Sequence, residues 1–190
     1  MLRFAVIIGS TRTGRFGPTV ADWLVSRARR RAELELDVID LAETGLPETL
    51  CDQDDPLPRP VQQLAPRLAA ADAFVVVTPE YNRSFPAPLK TAIDWFYTEW
   101  HAKPVAFISY GRESGGRHAT EQLRQVFTEL HAVPIRAEVS LPSYWQLFAA
   151  DGSWPKPTAA CNTELKTTLD QLSWWAHALR DARAKRPYLP

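Results

Sequence analysis

The chain has 190 residues, 45% of them apolar, and its 22 Lys and Arg residues balance 22 Asp and Glu residues. That length suits one domain, residues 1–190, with a full hydrophobic core. A formal net charge of zero argues against a nucleic acid or a membrane surface held by bulk charge. The 16 prolines are scattered or gathered in one acidic stretch, so the composition is not that of a disordered chain. The apolar run at residues 2–8 is too short for a signal h-region, and no stretch approaches the roughly 18 apolar residues of a membrane span. A cytoplasmic protein is expected. Cys51 and Cys161 form no CxxC and no metal-ligand spacing, so two incidental thiols are expected.

Residues 2–8 are almost continuously apolar, as in a strand buried on both faces. Residues 9–18 then change direction through Gly9, Gly14 and Gly17, with Arg12 and Arg15 between them. A strand, a loop and a helix start of this composition suit a phosphate: the first helical amides lack internal partners, and the helix dipole adds positive potential. From Pro18, the apolar residues Val20, Leu24 and Ala28 share one helix face, and Arg27, Arg29, Arg30 and Arg31 read as a solvated helix end. Residues 34–39 alternate as a second strand near an edge. Residues 42–60, rich in Asp, Glu and Pro, read as a surface loop. Val61, Leu64 and Leu68 carry the next helix face. Residues 73–78 form the most buried-looking strand, followed by a Pro- and aromatic-rich loop at 79–88.

Leu89, Ile93 and Phe96 make a further helical stripe, residues 105–109 a fourth central strand, and residues 110–116 a loop rich in small residues. Leu123, Phe127 and Leu130 mark another helix. Residues 134–141 are expected as a shorter fifth strand at an edge, given Pro134. The segment 142–157 matches no motif. It leads to a helical extension at about 158–185, with Leu165, Leu169, Leu172, Ala176 and Leu179 on one side. Strands alternating with helices predict a parallel, doubly wound α/β sheet with right-handed crossovers. The three unusual loops follow strands one, three and four, so all lie at the same sheet edge, where such folds bind ligands.

The first loop spaces Gly9 and Gly14 like a nucleoside-triphosphate loop, but Arg15 and Phe16 stand where Lys and Ser or Thr are needed. The GxGxxG dinucleotide fingerprint is absent too. A phosphate monoester remains, beside a flat surface offered by Pro79, Tyr81 and Phe85.

The runs Gly9-Ser10-Thr11-Arg12, residues 78–95 (TPEYNRSFPAPLKTAIDW) and Ser109-Tyr110-Gly111 resemble the NADPH-dependent FMN reductases, which include chromate, quinone and azo-dye reductases. The similarity spans residues 2 to about 140. It implies a flavodoxin-like three-layer sandwich with a five-stranded parallel sheet in the order 2-1-3-4-5. It implies bound FMN, with Ser10 and Arg12 at the phosphate. Many family members carry Ser and Asn at the positions of Arg15 and Gly17; here Arg15 is expected to bring a second guanidinium to the phosphate, and Phe16 and Gly17 their backbone amides. Pro79, Glu80, Tyr81 and Asn82 match the segment along the isoalloxazine, and Ser84 follows it. Ser109, Tyr110, Gly111 and Gly116 match the loop near the pyrimidine edge.

The implied reaction takes hydride from NADPH and passes electrons to a small-molecule acceptor such as free flavin or quinone, in a ping-pong scheme without a catalytic side chain. Arg83 or Arg112 are candidates for the extra phosphate of NADPH. Glu80 is expected to pair with an Arg or Lys across a subunit interface. His101, His118, His131 and His177 show no ligand spacing, and no metal is expected. Trp95, Phe96, Tyr97 and Trp100 suit core packing or a homodimer interface, and the resemblance implies dimers or tetramers; Trp174 and Trp175 are expected to pack the last helix. Two other readings are a flavodoxin-like electron carrier without nicotinamide chemistry, disfavoured by the neutral charge, and a flavin-less redox sensor.

Overall fold

Strand β1 (Leu2–Ile8) is an interior strand of the sheet, with side chains covered on both faces. In the computed structural model, which describes residues 1–52 and 54–189, helix α1 (Gly17–Ala28) follows it, with Pro18 in the first turn, where a missing amide costs nothing. Then come β2 (Leu34–Asp40), the single turn α2 (Leu41–Thr44), α3 (Arg59–Ala69), β3 (Ala73–Pro79), α4 (Ala87–Asp94), β4 (Pro104–Gly111), α5 (Arg117–Glu129), β5 (Val133–Pro134), β6 (Val139–Pro142) and α6 (Cys161–Lys185).

The sheet order is β2-β1-β3-β4-β5, with β6 also on β4, and every pairing is parallel. This is the flavodoxin-like order expected from the resemblance. Period-two alternation along the central strands divides the core. Phe4, Val6 and Ile8 join Val75 and Val77 under α1 and α6. Ala5 and Ile7 join Phe74, Val76 and Phe107 under α3, α4 and α5. β2 is buried only at intervals, as an edge strand should be.

The fifth strand is the main departure in the sheet. Instead of one run over 134–141, two short pieces flank a gap. Pro134 has no amide to give the ladder, and side chains satisfy the backbone in the gap. Arg124 donates to the Ile135 carbonyl at 2.6 Å, and Ala137 N donates to Gln171 Oε1 at 3.0 Å. The aromatic cluster at 95–100 is mostly internal: Phe96 and Trp100 are buried in the core, while Tyr97 remains half exposed. Trp175 packs against the core as expected, but Trp174 stands exposed on α6. Among the described residues, no helix is long and apolar enough to cross a membrane.

Candidate functional site

The loops after β1, β3 and β4 do meet at one sheet edge, at the switch point between β1 and β3 where the chain leaves to opposite faces. They enclose a cleft of about 590 Å³ walled by Arg12, Phe16, Pro79, Tyr81, Tyr110 and Gly111, within the usual range for small-ligand sites.

The first loop is anchored at its base. Gly9 N donates to the Val77 carbonyl, and a Cβ at Gly9 would come within 2.9 Å of Leu89. Ser10 is fully buried, its Oγ 2.9 Å from Tyr81 Oη. That bond ties the first loop to the second. Arg12 is exposed at the mouth. Arg15 departs from expectation. Its guanidinium forks onto Asp40, with Nη2 donating to Oδ2 at 2.7 Å, and Nη1 also donates to the Ser10 carbonyl. Asp40 in turn caps α2 by accepting from Ala42 N. Arg15 is therefore a brace between β2 and the loop rather than a free phosphate ligand.

The second loop owes its shape to Asn82 and Arg83, both at positive φ (50° and 66°). Tyr81 and Ser84 exchange backbone hydrogen bonds around them, making a two-residue hairpin turn of the kind Asn favours. Ser84 Oγ donates to Gln122 Oε1, so this side chain fastens the turn to α5 and does not line the cleft. Glu80 has its partner inside the chain, which corrects the expected intersubunit Arg or Lys. Its carboxylate accepts from Ser114 Oγ (2.9 Å) and His118 N (3.1 Å) and faces His118 Nδ1 at 3.0 Å. Burial opposes its ionisation, but the bonds from His118 and Ser114 prevail and hold its pKa below the usual carboxylate value.

In the third loop, Ser109 Oγ donates to the Gly115 carbonyl and is fully buried. A Cβ at Gly116 would fall 2.5 Å from Ser109 Cβ. Ser109 and Gly116 thus shape the loop from beneath, while Gly111 reaches the cleft wall.

The sequence left Tyr144 and Trp145 unassigned, yet both line the cleft. Tyr144 stacks on Phe16 at 4.4 Å, and Trp154 meets the same ring edge-on at 5.0 Å. The Phe16 ring is therefore part of the cleft wall, held by the 142–157 segment. The aromatic richness of that segment was the available signal, but periodicity cannot place a loop. Among the described residues, no group of three or more metal-ligating side chains gathers.

A loop-built, aromatic-walled cleft with a helix start at its base defines a flavodoxin-like nucleotide-binding protein. The family model for NADPH-dependent FMN reductases matches residues 2–146, and the chain belongs to that family. It is 35% identical over 150 residues to an NAD(P)H-dependent FMN reductase of Schizosaccharomyces pombe, covering 74% of each chain. It is 32% identical over 191 residues to a probable NADPH:quinone oxidoreductase of Oryza sativa, covering 94% of this chain and 90% of the relative. The solved structure of FerB, a flavoenzyme NAD(P)H:(acceptor) oxidoreductase from Paracoccus denitrificans, superposes with a TM-score of 0.78 at 26% identity, covering 93% and 98% of the two chains. The chain is thus an NAD(P)H-dependent oxidoreductase with FMN as cofactor.

The residues present fit that cofactor. Helix α1 has no side-chain cap on its first amides, the buried Tyr110 hydroxyl lacks a hydrogen-bond partner, and the absence of a side chain at Gly17 lets that hydroxyl sit close against the helix start. These are donors suited to a phosphate.

Proposed function

We propose that the enzyme transfers electrons from NADPH through FMN to a quinone or free flavin by a ping-pong cycle at one mouth. FMN, when bound, accepts and returns the hydride equivalent. Ser10, Arg12 and the α1 amides hold its phosphate, the 79–82 segment lies along its ring, and Gly111 borders the pyrimidine edge. No side chain serves as acid or base.

The observation that carries the reading is a second cleft, of about 660 Å³, which shares the walls Arg12, Glu80, Tyr81 and Arg112 with the first. Arg12, Arg83 and Arg112 line it, and among the described residues none of the three enters an ion pair. Glu80, the acidic residue in its wall, is engaged by His118 and Ser114. Unpaired guanidiniums suit a dinucleotide's phosphates, and the additional 2′-phosphate favours NADPH over NADH. Relatives named as FMN and quinone reductases support the two acceptors. The family resemblance supports a cytoplasmic homodimer or homotetramer, which sedimentation checks.

The test is steady-state kinetics with NADPH and benzoquinone both varied. Parallel double-reciprocal lines are expected; intersecting lines would exclude the ping-pong order. Arg83→Ala and Arg112→Ala should raise KM for NADPH more than for NADH. Equal changes would remove the phosphate role of the second cleft.

A further inference from the structure

Tyr110 lies near the end of β4, its ring edge-on to Phe16 at 6.1 Å and to Tyr144 at 5.3 Å. The residue is 4% exposed, and its hydroxyl is buried without a hydrogen-bond partner. A buried hydroxyl left unpaired is costly. Burial also raises its pKa, so the group remains a phenol able to donate.

The location of that donor is specific. A Cβ on Gly17, the first residue of α1, would lie 3.3 Å from Tyr110 Oη and 2.8 Å from Ile8 Cγ2. The missing side chain keeps the hydroxyl against the helix start. The N-cap residue Phe16 supplies no side-chain acceptor to the first amides of this 12-residue helix. Ser10, Tyr81, Tyr144 and Arg15 are the other polar groups around the hydroxyl. Ser10 lies near enough to touch it, but its Oγ is bonded to Tyr81 Oη at 2.9 Å, which leaves Tyr110 without a partner of hydrogen-bond geometry. An uncapped helix start and a buried, unpaired donor beside it both suit an anion that the two can reach together.

We infer that Tyr110 donates its hydroxyl hydrogen to the FMN phosphate, so that β4 as well as the β1–α1 loop holds that group. This rests on the FMN site proposed above. It moves the Tyr110 side chain from the pyrimidine edge, where the resemblance puts its loop, to the opposite end of the cofactor. It also links the two loops through the ligand itself.

Tyr110→Phe keeps the ring and removes only the donor. Binding of FMN and of riboflavin, which lacks the phosphate, is measured on the full-length, flavin-free protein by quenching of flavin fluorescence. A charge-assisted hydrogen bond predicts a loss of FMN affinity of about tenfold or more, with riboflavin affinity within about twofold. Thermal melts without flavin should show the variant at least as stable as the wild type, because an unpaired hydroxyl has gone. Unchanged FMN affinity, equal weakening of both flavins, or a lower melting temperature without flavin would each overturn the assignment. A wild-type protein that binds no FMN would instead overturn the proposed function itself.

Discussion

The Arg15–Asp40 brace can be measured by a double-mutant cycle of Arg15→Ala, Asp40→Ala and the double variant, without added flavin. The two side chains are only 17% and 14% exposed and share a forked contact. Exposed pairs couple by about 0–1 kcal/mol, whereas breaking a fully buried pair costs about 3–5 kcal/mol. This pair lies between those limits, and two charge-assisted bonds support a coupling of about 2 kcal/mol. Each single variant loses the pair, so each should melt about 4–8 °C lower, given about 2–4 °C per kcal/mol in a chain of this size. The double variant should cost less than the sum of the singles. Urea unfolding of the four proteins gives the coupling energy directly. A coupling below about 0.5 kcal/mol would mean that the pair is incidental. Arg15 would then be available to the phosphate, as its position in the sequence suggests.

Lys103 is almost fully buried, with Nζ donating to the last carbonyls of α3, those of Leu68 and Ala69. Burial lowers its pKa to about 8 from 10.5. Between those values the unfolded chain holds a proton that the folded protein has released, so this residue makes stability rise with pH. At 1.36 kcal/mol per unit the rise is up to about 3 kcal/mol. Burial of Cys161 and Tyr110 raises their pKa values and opposes this rise. Urea titrations at pH 7.5 and 10 should therefore show it as the gain of the wild type relative to Lys103→Met; identical pH dependence would refute the assignment. Gly116→Ala meets both a φ of +93° and the Ser109 side chain; a loss of about 3 kcal/mol or more is expected from strain and overpacking, read by urea unfolding. Phe16→Ala removes the ring that stacks on Tyr144 and meets Trp154; for this half-buried residue about 2 kcal/mol is expected, with faster FMN release followed by recovery of flavin fluorescence.

Much of the architecture was legible in the chain because local rules suffice for it. Continuous apolar runs marked β1, β3 and β4, alternation marked β2, and apolar stripes marked the larger helices. The loops at one sheet edge followed from strand polarity alone. Individual side-chain roles were less legible, because residue type does not determine partner. Glu80 reads as a charge in need of a cation, and the fold answers with His118 and the start of α5. Ser84 and Ser109 read as ligand groups, yet Ser84 fastens its turn to α5 and Ser109 supports the loop after β4. The 142–157 segment has no periodicity to follow, and only packing puts Tyr144 and Trp145 on the cleft.

The stretch at residues 9–17 shows where the two levels part. Its glycines and the helix after it mark it as a loop of the kind that suits a phosphate, by backbone chemistry that depends only on near neighbours in the chain. Which side chains are left free at this loop depends on Asp40 from β2 and Tyr110 from β4, distant in sequence and brought together by sheet order. Asp40 draws Arg15 into a brace, and β4 places an unpaired hydroxyl where no local pattern would look for one. Long-range pairing decides these roles, because a charge or a donor turns toward whatever partner the tertiary structure sets beside it.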